Sequence, residues 1–143
     1  MEDCLFCKIA AGEIPSNKLF EDDKLLAFYD IDPQAPVHFL VIPKQHIASA
    51  AALTEDDAAL LGHIYAVIAQ LCKKLGVDES GYRVVTNVGA DGGQSVKHLH
   101  FHVLAKRSLA WPPLMPGVAQ NTCESIKRGK LTWQIPIHCT LRV

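Results

Sequence analysis

The 143-residue chain has no excess of charge of either sign: fourteen Lys and Arg stand against fifteen Asp and Glu, a net −1. So balanced a surface gives no field for nonspecific attraction to nucleic acid, which is set aside as a partner. No apolar run approaches the ~20 residues of a bilayer-spanning helix. The opening MEDCLFCKIA carries two acids where an export signal has a basic region followed by a longer apolar one. The expectation is a soluble cytoplasmic protein with no membrane partner. An even set of cysteines is also lacking, and five thiols without an export signal suggest reduced cysteines or metal ligands, not a disulfide framework. Internal repeats and low-complexity segments are absent.

What the chain does have is apolar residues, 49% of the total, enough at this length for one core without covalent staples. CLFCKIAAGEIPS places Leu5, Phe6 and Ile9 at helical spacing before Gly12 and Pro15, which predicts a short helix over Asp3 to Ala11. KLFED and LLAFYDI flank the turn-forming Asp22-Asp23-Lys24, and VHFLVIP is a β-rich run closed by Pro43; these read as three antiparallel strands. Thr54 with Asp57 three residues on forms a helix start, and Leu61, Ile64, Ile68, Leu71 and Leu75 recur at helical spacing up to Gly76, predicting a helix from about Glu55 to Leu75. GYRVVTN supplies a fourth strand, GADGGQS a loop, and HLHFHVL a fifth. The sum is an α+β fold, an antiparallel sheet with helices on it.

Composition breaks near Pro113. Residues 1–113 carry ten Lys and Arg against fourteen Asp and Glu, whereas residues 114–143 carry four basic residues against Glu124 alone. LTWQIPIHCTLRV is interrupted by Pro136, and nothing in it converges on a site. Residues 114–143 are therefore read as an atypical C-terminal extension, partly disordered, behind a domain of residues 1–113.

HLHFHVL, residues 98 to 104, holds three of the seven histidines within five positions. Random placement gives His-x-His-x-His in only about 2% of chains of this composition, so a plain half-buried strand is a poor account of it. On an extended strand the three imidazoles would stand in a row roughly 7 Å apart, with Leu99, Phe101 and Val103 facing a core. The row spans roughly 13 Å, too far for all three to hold one ion, although one or two could join ligands from elsewhere. A serine nucleophile is poorly supported, because Ser95 lacks the G-x-S-x-G surround. In the third chemistry imidazole itself is the nucleophile, attacking phosphorus or carbon, neutral near pH 7 and a good leaving group. The preceding loop favours phosphorus. Gly89, Gly92 and Gly93 allow successive N–H groups to turn inward around an anion, with Gln94 and Ser95 as further donors.

GADGGQSVKHLHFHVL, with DIDPQAPVHFLVIPKQHI before it and SLAWPP after it, closely resembles the histidine triad (HIT) superfamily and within it the Hint branch. The resemblance runs from about Cys4 to Pro113. It implies a five-stranded antiparallel sheet with helices that pairs with a second copy into a ten-stranded sheet in a homodimer. It also implies hydrolysis of the P–N bond of purine nucleoside 5′-phosphoramidates, with no organic cofactor. On that resemblance His100 is the nucleophile, His102 and Asn87 contact the α-phosphate, and His38 supports the nucleophilic ring from the adjacent strand. Ser95 and His98 lie near the leaving nitrogen, and Gly93 and Gln94 belong to the phosphate loop. Asp30 holds the ribose hydroxyls, and Ile31, Leu5, Phe6 and Ile9 form a slot for the base. Trp111, in SLAWPP, reaches towards the neighbouring chain's site.

His102 separates the chain from the nucleotidyltransferase branch, which resemblance predicts to carry glutamine there. A dinucleoside-polyphosphate hydrolase is a second reading, since Gln94 and Lys97 suit that branch too, and a nucleotide- or zinc-dependent interaction protein is a third. SLAWPP favours Hint. Ala105-Lys106-Arg107 departs from the Gly-Gly-Arg common in that branch, and Leu114 replaces a terminal glycine. Cys4-x-x-Cys7 is half of a tetrahedral site. The resemblance to microbial family members implies that His46 and His98 complete a structural zinc site there, which places His98 as a ligand beside the catalytic face.

Overall fold

The computed structural model describes residues 3–110. The extension at 114–143 and Trp111 lie outside them. Five strands form one antiparallel sheet in the spatial order β1-β2-β3-β5-β4, with β1 at Lys18–Glu21, β2 at Leu25–Tyr29, β3 at Val37–Pro43, β4 at Tyr82–Val85 and β5 at Phe101–Ala105. Two helices accompany them, α1 at Leu5–Ala10 and α2 at Ala58–Lys74. The expected α+β architecture is present.

Strand periodicity sorts the side chains onto two faces. Leu25 and Ala27 of β2, Phe39 and Val41 of β3, and Phe101, Val103 and Ala105 of β5 share one buried cluster with Ile64, Val67, Ile68, Leu71 and Cys72 of α2. The alternate residues Leu26 and Phe28 of β2 and Leu40 and Ile42 of β3 pack with Phe6 and Ile9 of α1 on the other face. Register matches this division, since Ala27 pairs with Val41 and Phe39 with Val103, while Phe28 pairs with Leu40 and Leu40 with His102. The second face therefore carries Phe28, His38, Leu40 and His102 on three adjacent strands, with Asp30 just past the end of β2.

The helices begin where local chemistry permits. The Asp57 carboxylate accepts the Thr54 N–H at 2.9 Å, and a 3₁₀ turn at Glu55–Asp57 leads into α2. The expected start at Glu55 is thus a tighter turn, with the α-helix proper three residues later. The N-terminal helix is shorter than expected, because Cys4 is extended (φ −80, ψ 118) and serves as its N-cap without a side-chain capping bond.

The main correction concerns HLHFHVL, which is not one strand. β5 begins at Phe101, so His98 and His100 precede it and only His102 lies on it. The Leu99 N–H donates to the Ile47 carbonyl at 2.6 Å, which pins the approach to the loop after β3 instead of to the sheet ladder. Leu99 is buried along with His98 and His100, so the expected division into an apolar and an imidazole face does not hold before Phe101.

Phe39 is fully buried at the centre of the larger cluster. Phe39→Ala should lower the unfolding free energy by about 3–5 kcal/mol through lost transfer energy and a residual cavity, read as a reduced urea midpoint.

Candidate active site and metal centre

Backbone groups fix which ring nitrogen carries the proton, directly for His98 and His100 and through His38 for His102. The His100 ring nitrogen Nδ1 lies 2.6 Å from the His98 carbonyl oxygen, which can only accept. Nδ1 of neutral His100 is thus protonated and Nε2 keeps its lone pair. His98 Nε2 lies 2.9 Å from the Pro43 carbonyl, so there the proton sits on Nε2 and the lone pair on Nδ1. His102 is set indirectly. The Gln34 N–H donates to His38 Nδ1 at 3.1 Å, which places the His38 proton on Nε2; that group donates to His102 Nδ1 at 2.9 Å. His102 then presents Nε2–H as a donor. The result is a lone pair on His100 beside a donor on His102, with ring centroids 5.0 Å apart.

Both rings line a cavity of about 220 Å³ whose other walls include Leu5, Phe6 and Ile9 from α1, Phe28 and Leu40 from the sheet, and Asp30, Ile31, Ser95 and Val96. Burial pushes the His102 imidazole down to about 4, helped by the neighbouring His100 and His38 and opposed by Asp30. The same burial lowers His38, although Asp30 and Asp32 pull the other way. Both are neutral at pH 7, as the hydrogen-bond chain requires.

The other expected site residues each have a definite place in this geometry. His38 reaches His102, not His100. One Asp30 oxygen accepts the Asp32 N–H at 2.8 Å and the other lies 3.4 Å from His38 Nε2, so the carboxylate stands at the cavity rim already tied to protein on both sides. Ile31 is fully exposed in the single chain, so it edges the cavity without being packed as a slot wall. Gln94 is not a free donor: its side-chain NH₂ bonds the Ala48 and Val96 carbonyls at 2.7 and 2.9 Å, and its Oε1 accepts the Gly89 N–H at 3.1 Å. The Gly93 and Gln94 N–H groups close the turn onto Ala90 and Gly89. This loop is self-braced, with Gly89 and Gly93 at φ 68 and 74. At Gly92 any Cβ would collide with the Val88 backbone. Ser95 remains an exposed hydroxyl on the cavity, and Asn87 is half-buried just beyond β4.

The four expected metal ligands converge. His98 Nδ1 lies 3.5 Å from both Cys4 Sγ and Cys7 Sγ, and His46 Nδ1 lies 3.3 Å from Cys7 Sγ. All four ligand atoms fall within 4.8 Å of one another. A tetrahedral ion with bonds of about 2.3 Å to sulfur and about 2.0 Å to nitrogen needs S···N edges of about 3.5 Å, so the donor set fits. The His98 Nε2–H bond to Pro43 is the outer hydrogen bond that orients a ligating imidazole. Asp30, His38 and His102 form a second close group. It is unsuited to metal, because the Gln34 N–H occupies His38 Nδ1 and leaves Nε2 protonated.

Sequence reasoning missed Gln34, Phe28, Leu40 and Val96. Phe28 and Leu40 were within reach, since strand alternation puts them on the same face as Asp30 and His38. The role of the Gln34 backbone had no signal in side-chain identity.

Residues 11–109 match the HIT domain family model. An uncharacterized HIT-like protein of Synechococcus elongatus is 53% identical over 112 residues, covering 78% of this chain and 97% of that protein. The crystal structure of a HIT family hydrolase from Legionella pneumophila Philadelphia 1 is 51% identical, with a TM-score of 0.77, over 78% of this chain and all of that one. A histidine triad nucleotide-binding protein from Candida albicans aligns with a TM-score of 0.68 at 36% identity, over 88% and 93% of the two chains. The chain belongs to the HIT domain family.

Proposed function

We propose that the protein hydrolyses purine nucleoside 5′-phosphoramidates through a covalent nucleotidyl-histidine intermediate. The observation that carries this is the opposed protonation of neighbouring rings, a lone pair on His100 and a donor on His102 facing one cavity. Similarity to a HIT family hydrolase and to a histidine triad nucleotide-binding protein supports the same direction.

In this reading the base lies against Phe6 and Ile9, with Leu5 and Ile31 at the mouth, and Asp30 meets the ribose hydroxyls. His100 Nε2 attacks phosphorus. His102 Nε2–H and Asn87 hold the α-phosphate oxygens, where charge accumulates in the transition state. The positive charge that develops on the attacking ring is met at Nδ1–H by the His98 carbonyl. The P–N bond breaks as the leaving nitrogen takes up a proton from solvent, relayed by the exposed Ser95 hydroxyl. Water then cleaves the imidazole–phosphorus bond, releasing the nucleotide and a proton and restoring neutral His100. The Cys4, Cys7, His46 and His98 set suits zinc, a ligand set of two thiolates and two imidazoles being typical of a structural site, which would brace the fold and carry no step of the reaction. β4 is an edge strand of the described sheet, and a second copy adding there would extend five strands to ten.

His100→Asn should reduce kcat/KM for an AMP-amide by at least about 10³-fold while leaving AMP binding measurable. Substantial residual turnover would sink the nucleophile assignment. A substrate pair with P–N and P–O–P bonds separates this activity from that of a dinucleoside-polyphosphate hydrolase.

A second outcome concerns pH. His102 titrates near 4 in the fold and near about 6.5 in the unfolded chain, so between those values the unfolded state binds more protons. Stability should fall as pH drops through that window. Urea midpoints measured at about pH 7.5 and about pH 5 should show a smaller drop for His102→Gln than for the parent, and an equal drop would refute the neutral assignment.

A further inference from the structure

The putting together of the thiol–imidazole cluster and the cavity runs through α1. This helix has six residues, and its N-cap Cys4 makes no side-chain capping bond. A helix so short does not persist without tertiary anchorage. It nevertheless supplies Leu5, Phe6 and Ile9 to the cavity wall. Cys4 and Cys7 stand one turn apart at its start, facing His98 and His46. Between them in sequence, Phe6 lies edge-on to both the His98 ring at 6.0 Å and the His100 ring at 5.2 Å. His98 touches both systems, with Nδ1 in the cluster and its carbonyl on His100.

We infer that an ion held by Cys4, Cys7, His46 and His98 sets the affinity of the nucleotide cavity, with Cys4, Cys7 and His46 acting as positioning residues for the α1 wall. The inference rests on the nucleotide reading above. An ion at the cluster would join the first turn of α1 to the loop after β3 and to the residue that anchors His100. Without it, α1 keeps the burial of Phe6 and Ile9 and the weak thiol–imidazole contacts, and part of the ordering of its three cavity side chains must be met from nucleotide binding itself. No donor atom of the cluster carries a step of the proposed reaction, so the effect falls on binding more than on the chemical step.

The test uses the full chain loaded with zinc, stripped by a chelator, and reloaded, together with a His46→Ala variant, since His46 does not line the nucleotide cavity. AMP affinity is measured by calorimetry, and hydrogen exchange is followed at the amides of residues 5–10 and of α2. Stripping and His46→Ala should each weaken AMP binding by about tenfold and speed exchange in α1 while α2 stays protected. Reloading should restore the parent. The inference is overturned if the protein takes up no stoichiometric zinc, or if the stripped protein binds AMP unchanged with α1 equally protected. Loss of protection in α2 as well would indicate a general structural staple and would overturn it too. AMP binding without P–N turnover would sink the phosphoramidase reading alone, metal-independent AMP binding with turnover would sink this inference alone, and no AMP binding in any state would overturn both.

Discussion

The rest of the site depends on how His98 is held. Its side chain is fully buried, and a buried imidazole needs partners on both nitrogens, at a cost of about 1–3 kcal/mol for each one left unsatisfied. The Pro43 carbonyl takes Nε2–H and the two thiols meet Nδ1. The ring therefore cannot change tautomer without setting a lone pair against a carbonyl and a proton against the cluster, and a flip would put C–H groups at both partners. With the ring fixed, the peptide is fixed, because the His98 N–H also closes onto the Val96 carbonyl. That peptide's carbonyl then dictates the tautomer of His100.

Two histidines on the cavity thus acquire opposite roles from opposite backbone partners. A carbonyl against Nδ1 makes His100 a base at Nε2, while an amide against His38, passed on through one ring, makes His102 a donor at Nε2. Arg107 extends the second chain outward, donating to the Gln34 carbonyl at 2.7 Å. It follows Lys106, whose φ of 61 lies in the left-handed region. Glycine takes that conformation without strain, and a side chain there costs roughly 1 kcal/mol.

Elements with a repeating pattern were legible in the sequence. The five strands, α2 and the two-faced sheet follow from apolar alternation and helical spacing, and the Asp57 turn follows from residue type. HLHFHVL misled because its period of two continues through His98 to His100, where the hydrogen bonds that would make a strand go instead to Ile47. Gln94 misled for a related reason. Its amide is a capable donor to an anion, but two carbonyls of its own loop lie closer. Side-chain lists register which groups could bond, whereas backbone groups such as the Gln34 N–H and the Pro43 carbonyl decide which ones do. The role of His38 turned on that difference.

The position of the cavity follows from unequal cover on the two faces of the sheet. α2 runs seventeen residues and seals the first face with five buried side chains. α1 runs six residues and buries only Phe6 and Ile9 on the second. A sheet face that continues past such a short helix must either expose apolar residues or fill the gap with something else. Here the gap falls over Phe28, Leu40 and His102, and its floor is apolar on one side and titratable on the other. Lengthening α1 would bury more apolar surface, each large side chain adding about 1.5–3 kcal/mol, and would close the cavity. The short helix leaves the fold with less cover and with the His100 and His102 rings lining a cavity. It also makes that helix dependent on attachment at its first turn, which is where Cys4 and Cys7 stand.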